Sequence, residues 1–193
     1  MKNKAYFLIF DGFADWEAAL ALCEIKINTS LDVVTVGFTK NAIQSMGGLK
    51  IQPDITLGDI KIEDAAIIIL PGGSMWEKFF NMHLRGHLQQ LNSEGVIIAA
   101  ICGATLKLAR AGLLKGKKHT SNSLQFLKEN VPDYDDADNY QEQLAVRDQN
   151  IITASGVGSV EFAYEIIKAL SIYDEKTGQA WFNLFKHGML PLN

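Results

Sequence analysis

At 193 residues, with 48% hydrophobic and 21% charged side chains, the chain is long enough to bury a full core without disulfides or metal staples. A formal net charge of −4 argues against nucleic acid as a partner. The one compact basic cluster, Lys115, Lys117 and Lys118, reads as a solvated, Gly-containing loop. Cys23 and Cys102 show no disulfide or zinc spacing, the first apolar run is too short for a signal peptide, and no stretch is apolar enough to span a membrane, so a reduced, cytoplasmic setting is expected.

Residues 5–10 form a continuous apolar run stopped by Asp11-Gly12, the pattern of a buried strand and its turn. Helical spacing of Trp16, Ala19, Leu20, Cys23 and Ile27 then predicts an amphipathic helix with that stripe as its buried face. A second strand is predicted over 31–38, and 41–60 alternates polar and apolar around Met46-Gly47-Gly48 as a hairpin would. Residues 65–70 form a third buried strand ended by Pro71-Gly72-Gly73, with a helix from about 76 to 91. The next strand covers 96–101, with a helix from about 104 to 114 and a further helical piece from about 123. A late strand pair (139–150 and 151–154), a helix over 160–170 and an apolar tail over 174–193 complete the chain.

Continuous apolar strands alternating with helices predict a flavodoxin-like three-layer α/β/α sandwich with a mostly parallel sheet, in one domain spanning 1–193. The tail is expected to dock as an extra helix on its own domain, and assembly as a homodimer is expected. In such sheets, ligands bind beyond the carboxyl ends of the strands, which here carry residues 11–17, residues 71–73 and Cys102.

Cys102 closes the strand 96–101 and opens a helix, the layout of a nucleophile elbow. An elbow strains the nucleophile's backbone and needs small residues two positions away on each side, here Ala100 and Ala104. Its place at a helix N-terminus is expected to favour the thiolate, the form that attacks carbonyls. A buried cysteine finishing a core strand is the competing reading of the same pattern.

Six segments in this order resemble the ThiJ/PfpI superfamily of class I glutamine amidotransferase-like folds, whose members include the parkinsonism-associated deglycase and intracellular protease I. They are Phe10-Asp11-Gly12-Phe13-Ala14-Asp15-Trp16-Glu17, Ser45-Met46-Gly47-Gly48 with Pro53-Asp54, Leu70-Pro71-Gly72-Gly73, Ala99-Ala100-Ile101-Cys102-Gly103-Ala104, residues 111–118, and Ile152-Thr153-Ala154-Ser155-Gly156 before Glu161-Phe162-Ala163. The resemblance implies that Glu17 hydrogen-bonds the cysteine, and that Gly72 or Gly73 with Gly103 supplies amide donors to an oxyanion. It implies a cofactor-independent cysteine hydrolase or lyase acting on a small carbonyl, amide or nitrile-like substrate. A redox-sensing or stress-response role for an oxidisable Cys102, and a non-catalytic binding or chaperone-like role, are the alternatives.

The departures are equally informative. Protease-type relatives place a histidine directly after the cysteine, where this chain has Gly103, which argues against peptidase activity. Deglycase-type relatives place a histidine on the next strand, where alignment puts Asn122, with His119 three residues earlier. Odd spacing along a strand puts these two on opposite faces, so one is a site residue and the other structural unless the strand has already ended. His119 is the nearby group able to take the thiol proton; Asn122 could orient a carbonyl but is no base. No His-x-Glu pair suited to glutamine hydrolysis is found downstream. His83 and His87 share a helical face, read as solvated rather than metal-binding. No Gly-x-Gly-x-x-Gly follows the first strand, so no dinucleotide cofactor is expected, and Asn28-Thr29-Ser30 matches a glycosylation acceptor only formally.

Overall fold

The computed structural model describes residues 2–78 and 82–190. In chain order the elements are β1 (Lys4–Leu8), α1 (Asp15–Asn28), β2 (Asp32–Gly37), β3 (Ile43–Gln44), β4 (Lys50–Ile51), β5 (Ile55–Thr56), β6 (Ala65–Leu70), α2 (Met75–Lys78), α3 (Met82–Ser93), β7 (Ile97–Ile101), α4 (Thr105–Arg110), α5 (Leu124–Asn130), β8 (Ala145–Asp148), β9 (Ile151–Ala154), α6 (Ser159–Ala169) and α7 (Glu175–His187). Among the described residues a seven-stranded sheet runs in the order β5-β2-β1-β6-β7-β9-β8. Its strands pair in parallel except at the β8–β9 edge.

β1, β6, β7 and β9 form close to where they were predicted because they are covered on both faces and must be apolar throughout, whereas of the strand predicted over 139–150 only β8 forms, at the half-exposed edge of the sheet. Helices α1 and α6 pack together on one side, and α3 and α4 pack against β7 on the other, giving the three-layer α/β/α sandwich. No helix among the described residues is long and apolar enough to cross a membrane.

Three further expectations need correction. The predicted apolar stripe of α1 faces outward: Trp16, Ala19, Cys23 and Ile27 are exposed and Leu20 is half-buried. The buried face is Glu17, Ala18, Ala21 and Ile25, where small side chains admit close packing against α6. The region 41–60 is a hairpin only in the two-residue strands β3 and β4, while β5 leaves it to extend the main sheet beside β2. The helix predicted over 76–91 is described as α2 and α3, with 79–81 outside the described residues. The helix after Cys102 is short: a 3₁₀ turn over Cys102–Ala104 leads into α4, and turns follow Arg110.

The apolar tail forms α7 and packs on α6, as expected for docking on its own domain. Trp181 is nearly buried, its indole N–H donates to Glu24 Oε1 (2.8 Å), and the Tyr173 hydroxyl donates to Glu24 Oε2 (2.5 Å). Glu24 lies on α1, so this carboxylate ties both ends of the chain together. Burial, with the Glu24 charge beside it, pushes the Tyr173 phenol up to about 12.

Candidate active site

Cys102 has φ 58°, in the left-handed region that side chains other than glycine rarely adopt. That conformation costs about 1–3 kcal/mol, which the buried surroundings must over-determine. Ala100 and Ala104 are fully buried on either side of it. The Cys102 carbonyl accepts from Thr105 Oγ1 at 2.7 Å, and that hydroxyl is itself paired with Ser121 Oγ at 2.6 Å. The strain is thus held by a buried hydroxyl pair, and the half-buried thiol is left at the carboxyl end of β7.

Glu17 reaches this point from the first turn of α1. It is 2% exposed, its Oε2 accepts from the Gly72 amide, and its carboxyl lies beside the Cys102 side chain, both crowding the space over Gly72 and Gly156. The helix start is fixed by Asp15, whose carboxylate accepts from Ser45 Oγ and from the Gly47 amide (3.0 Å). The Ser45 bond holds the Asp15 carboxyl below the usual carboxylate range. The β3–β4 turn is thereby fastened to the base of the helix that carries Glu17.

Asn122 closes the other side. Its Nδ2 donates to Cys102 Sγ at 3.4 Å, and its Oδ1 accepts from the Gly156 amide at 2.9 Å. A Cβ at position 156 would lie 3.0 Å from Sγ, and one at position 72 would lie 2.6 Å from Cys102 Cβ. Both glycines are needed because the sulfur and the carboxyl occupy the space that a side chain would fill.

The electrostatics differ from the simple expectation of a helix-stabilised thiolate. Burial pushes the Cys102 thiol up and the Glu17 charge adds to the rise, while bonds from Asn122 and the Gly103 amide pull it down. Burial likewise raises Glu17, against the opposing bonds from Gly72 and Cys102. Two negative charges in one desolvated site are costly, so ionisation of either group makes the other hold its proton more tightly.

Among the predicted amide donors, the Gly72 amide donates to Glu17 Oε2. The Gly72 carbonyl accepts from Ala14 and the Gly73 carbonyl from Trp76. The Gly73 amide donates to no protein group among the described residues, and the Gly103 amide faces the sulfur.

His119 is not brought to the sulfur. It is fully buried, Nδ1 lies 2.7 Å from the Lys117 carbonyl and Nε2 lies 2.6 Å from the Tyr134 hydroxyl. A carbonyl only accepts, so Nδ1 carries a proton, and Nε2 is engaged by the Tyr134 hydroxyl, which also donates to the Asp136 carbonyl at 3.1 Å. The segment is an isolated bridge to Tyr140 rather than a strand, which settles the alternation: Asn122 faces the site and His119 the interior. Burial raises the Tyr134 phenol to about 12. Replacing His119 by Phe is expected to cost about 2 kcal/mol of stability through the partners left unpaired. Urea unfolding checks this, and the alkylation rate of Cys102 should stay at its original value.

His83 and His87 sit on the solvent side of α3, His87 bonding the His83 carbonyl, and no group of three metal-ligating side chains occurs among the described residues. Sequence reasoning missed Gly156 and Trp76. Gly156 follows the last parallel strand, where the carboxyl-end rule could have flagged it. The fully buried Trp76 donates its indole N–H to the Pro71 carbonyl at 2.7 Å, a contact that no spacing announces.

The DJ-1/PfpI family model matches residues 3–169. The chain is 38% identical over 191 residues to a Bacillus subtilis protein named uncharacterized protease YoaZ, covering 95% of this chain and 91% of that one. It is 28% identical over 159 residues to glutathione-independent glyoxalase DJR-1.2 of Caenorhabditis elegans, covering 76% and 77% respectively. The crystal structure of a thiJ/pfpI family protein from Bacillus anthracis superposes with a TM-score of 0.91 at 36% identity, over 98% of this chain and 92% of that one. An elbow cysteine, an inward carboxyl on the first helix and a match running through both thus meet in one chain, which belongs to the DJ-1/PfpI family.

Proposed function

We propose that this protein is a cofactor-independent, cysteine-dependent hydrolase or lyase acting on a small carbonyl or amide substrate. The observation that carries this reading is the pairing of a strained, half-buried Cys102 with the buried Glu17 carboxyl. The relative named a glyoxalase supports a small-carbonyl substrate, and Gly103 in place of a histidine weighs against peptide cleavage.

Attack forms a bond between Sγ and the carbonyl carbon while the C=O π pair moves to oxygen. The thiol proton passes to Glu17, or already resides there in the thiolate form of the pair, and Glu17 returns it to the oxyanion to give a neutral adduct. The Gly73 and Gly103 amides supply donors to the developing charge, and Asn122 orients the sulfur. No free histidine base is required, because one carboxyl both receives and returns the proton.

Cys102→Ser should lose methylglyoxal turnover entirely, whereas Cys23→Ser, at an exposed position on α1, should keep it. A Cys102→Ser variant that turns over methylglyoxal at the original rate overturns the reading. Reversible oxidation of Cys102 in a protein inert to methylglyoxal and simple amides would instead favour the redox role.

The outward stripe on α1 supports the expected homodimer. Trp16 is 53% exposed and Ile27 76% on this one helix, with Phe185 and Met189 also exposed near the C-terminus. Sedimentation velocity at micromolar concentration should give a dimer that Trp16→Glu with Ile27→Glu converts to a monomer. A monomeric starting protein rejects this assembly.

A further inference from the structure

The Pro71–Gly72 peptide is gripped at both ends. Its carbonyl accepts the Trp76 indole N–H at 2.7 Å, and its amide donates to Glu17 Oε2, both bonds being buried. Trp76 is itself held on several sides. The Phe10 ring meets it edge-on at 5.1 Å between centroids, the Trp76 amide donates to the Gly73 carbonyl, and Arg110 Nη1 donates to the Trp76 carbonyl at 2.7 Å. The same Arg110 reaches the Asn130 carbonyl at 2.9 Å, anchoring α2 to the end of α5. The indole also lies under the elbow, since a Cβ at Gly103 would come within 3.2 Å of Trp76 Cδ1.

We propose that Trp76 is a positioning residue that acts on Cys102 through the Pro71–Gly72 peptide and Glu17. A peptide whose oxygen accepts a hydrogen bond becomes a better donor at its nitrogen, because the bond draws electron density across the amide. The indole therefore strengthens the Gly72 bond to the carboxylate and fixes its direction. Since the Gly72 bond favours the charged carboxylate, losing the indole donor makes Glu17 hold its proton to higher pH. Within the shared pair, that moves the resting proton from sulfur toward the carboxyl. Trp76 touches no reacting atom in this scheme; it sets where the proton sits before attack. This inference rests on the proposed use of Glu17 as the proton carrier, but its test needs no substrate.

The experiment is a pH titration of carbon-13-labelled Glu17 Cδ by NMR, with the Trp76 indole N–H followed in the same samples. In the unmodified protein the indole resonance should titrate with the Glu17 midpoint; a flat indole resonance through that titration overturns the proposal. Two variants remove the donor: Trp76→Phe, and site-specific benzothienylalanine at position 76, which keeps the bicyclic shape and replaces only the N–H by sulfur. Each should raise the Glu17 midpoint by about half a pH unit. A folded benzothienylalanine protein with an unmoved midpoint assigns Trp76 to packing alone. Failure of the catalytic reading shows separately, as absent turnover with these NMR shifts still present.

Discussion

Replacing Glu17 by Gln should lower methylglyoxal turnover about 100- to 10,000-fold, the range that a positioned acid–base group contributes. The amide can still accept the Gly72 N–H, so the site keeps its shape, but it cannot carry a proton to the oxyanion. Alkylation should respond in the opposite sense. The Glu17 charge pushes the Cys102 thiol up, so neutralising it lets the thiolate form at lower pH, and the midpoint of the iodoacetamide rate profile should move down. Faster alkylation at neutral pH together with slower turnover is a split that simple damage to the fold does not produce. Stability gives a third check through linkage. A carboxyl whose folded value is raised binds its proton more tightly in the folded state, so its contribution is present at low pH and is lost as pH rises from 4.5 through the folded value. Glu17→Gln should therefore gain stability relative to the unmodified protein above that window and not below it. Urea midpoints at acid and neutral pH measure the difference; a variant with unchanged turnover removes Glu17 from the mechanism.

Gly72→Ala should damage both stability and activity although it adds one methyl group. The new Cβ would stand 2.6 Å from Cys102 Cβ and 2.7 Å from each Glu17 carboxylate oxygen, and none of these neighbours can yield freely. Cys102 is locked in the elbow and Glu17 is pinned by the amide of Gly72 itself. Such overpacking costs about 1–3 kcal/mol, a loss of roughly 2–12 °C in melting temperature for a chain of this size. Turnover should fall to background because the methyl pushes apart the sulfur and carboxyl that must share a proton. The control is Gly86→Ala in α3, where a Cβ meets nothing within 4 Å. Alanine favours a helix interior by up to about 1 kcal/mol, so this variant should melt at the same temperature or higher. Matching losses at both positions would contradict the account of Gly72.

Most strands, the mostly parallel character of the sheet and the elbow were legible because each rests on a local pattern that tertiary packing reinforces. An apolar run that ends at a thiol between two alanines has few ways to fold. The buried side of α1 was not legible, since counting hydrophobic residues selects Trp16 and Ile27 over Ala18 and Ala21. Close helix packing prefers the smaller pair, and the site draws the polar Glu17 inward with them. Alternation along the chain could say that His119 and Asn122 diverge but not which one meets the sulfur. That choice depends on Tyr134 and Gly156, at 15 and 34 residues from their respective partners. The expected acidity of Cys102 was offset by burial and by a neighbouring charge, neither of which is written in the elbow itself.

Apart from Asn122, the residues of the reactive centre follow β1, β6, β7 and β9, which are adjacent in the sheet, whereas β5 and β8 occupy its margins. Local opening starts at margins and termini, and interior strands part only when the whole molecule does. Backbone amides of β6 and β7 should therefore be the slowest to exchange with deuterated solvent. A molecule whose margins and C-terminal helix have frayed keeps its reactive sulfur in working order, so loss of chemistry on heating coincides with global collapse and does not precede it.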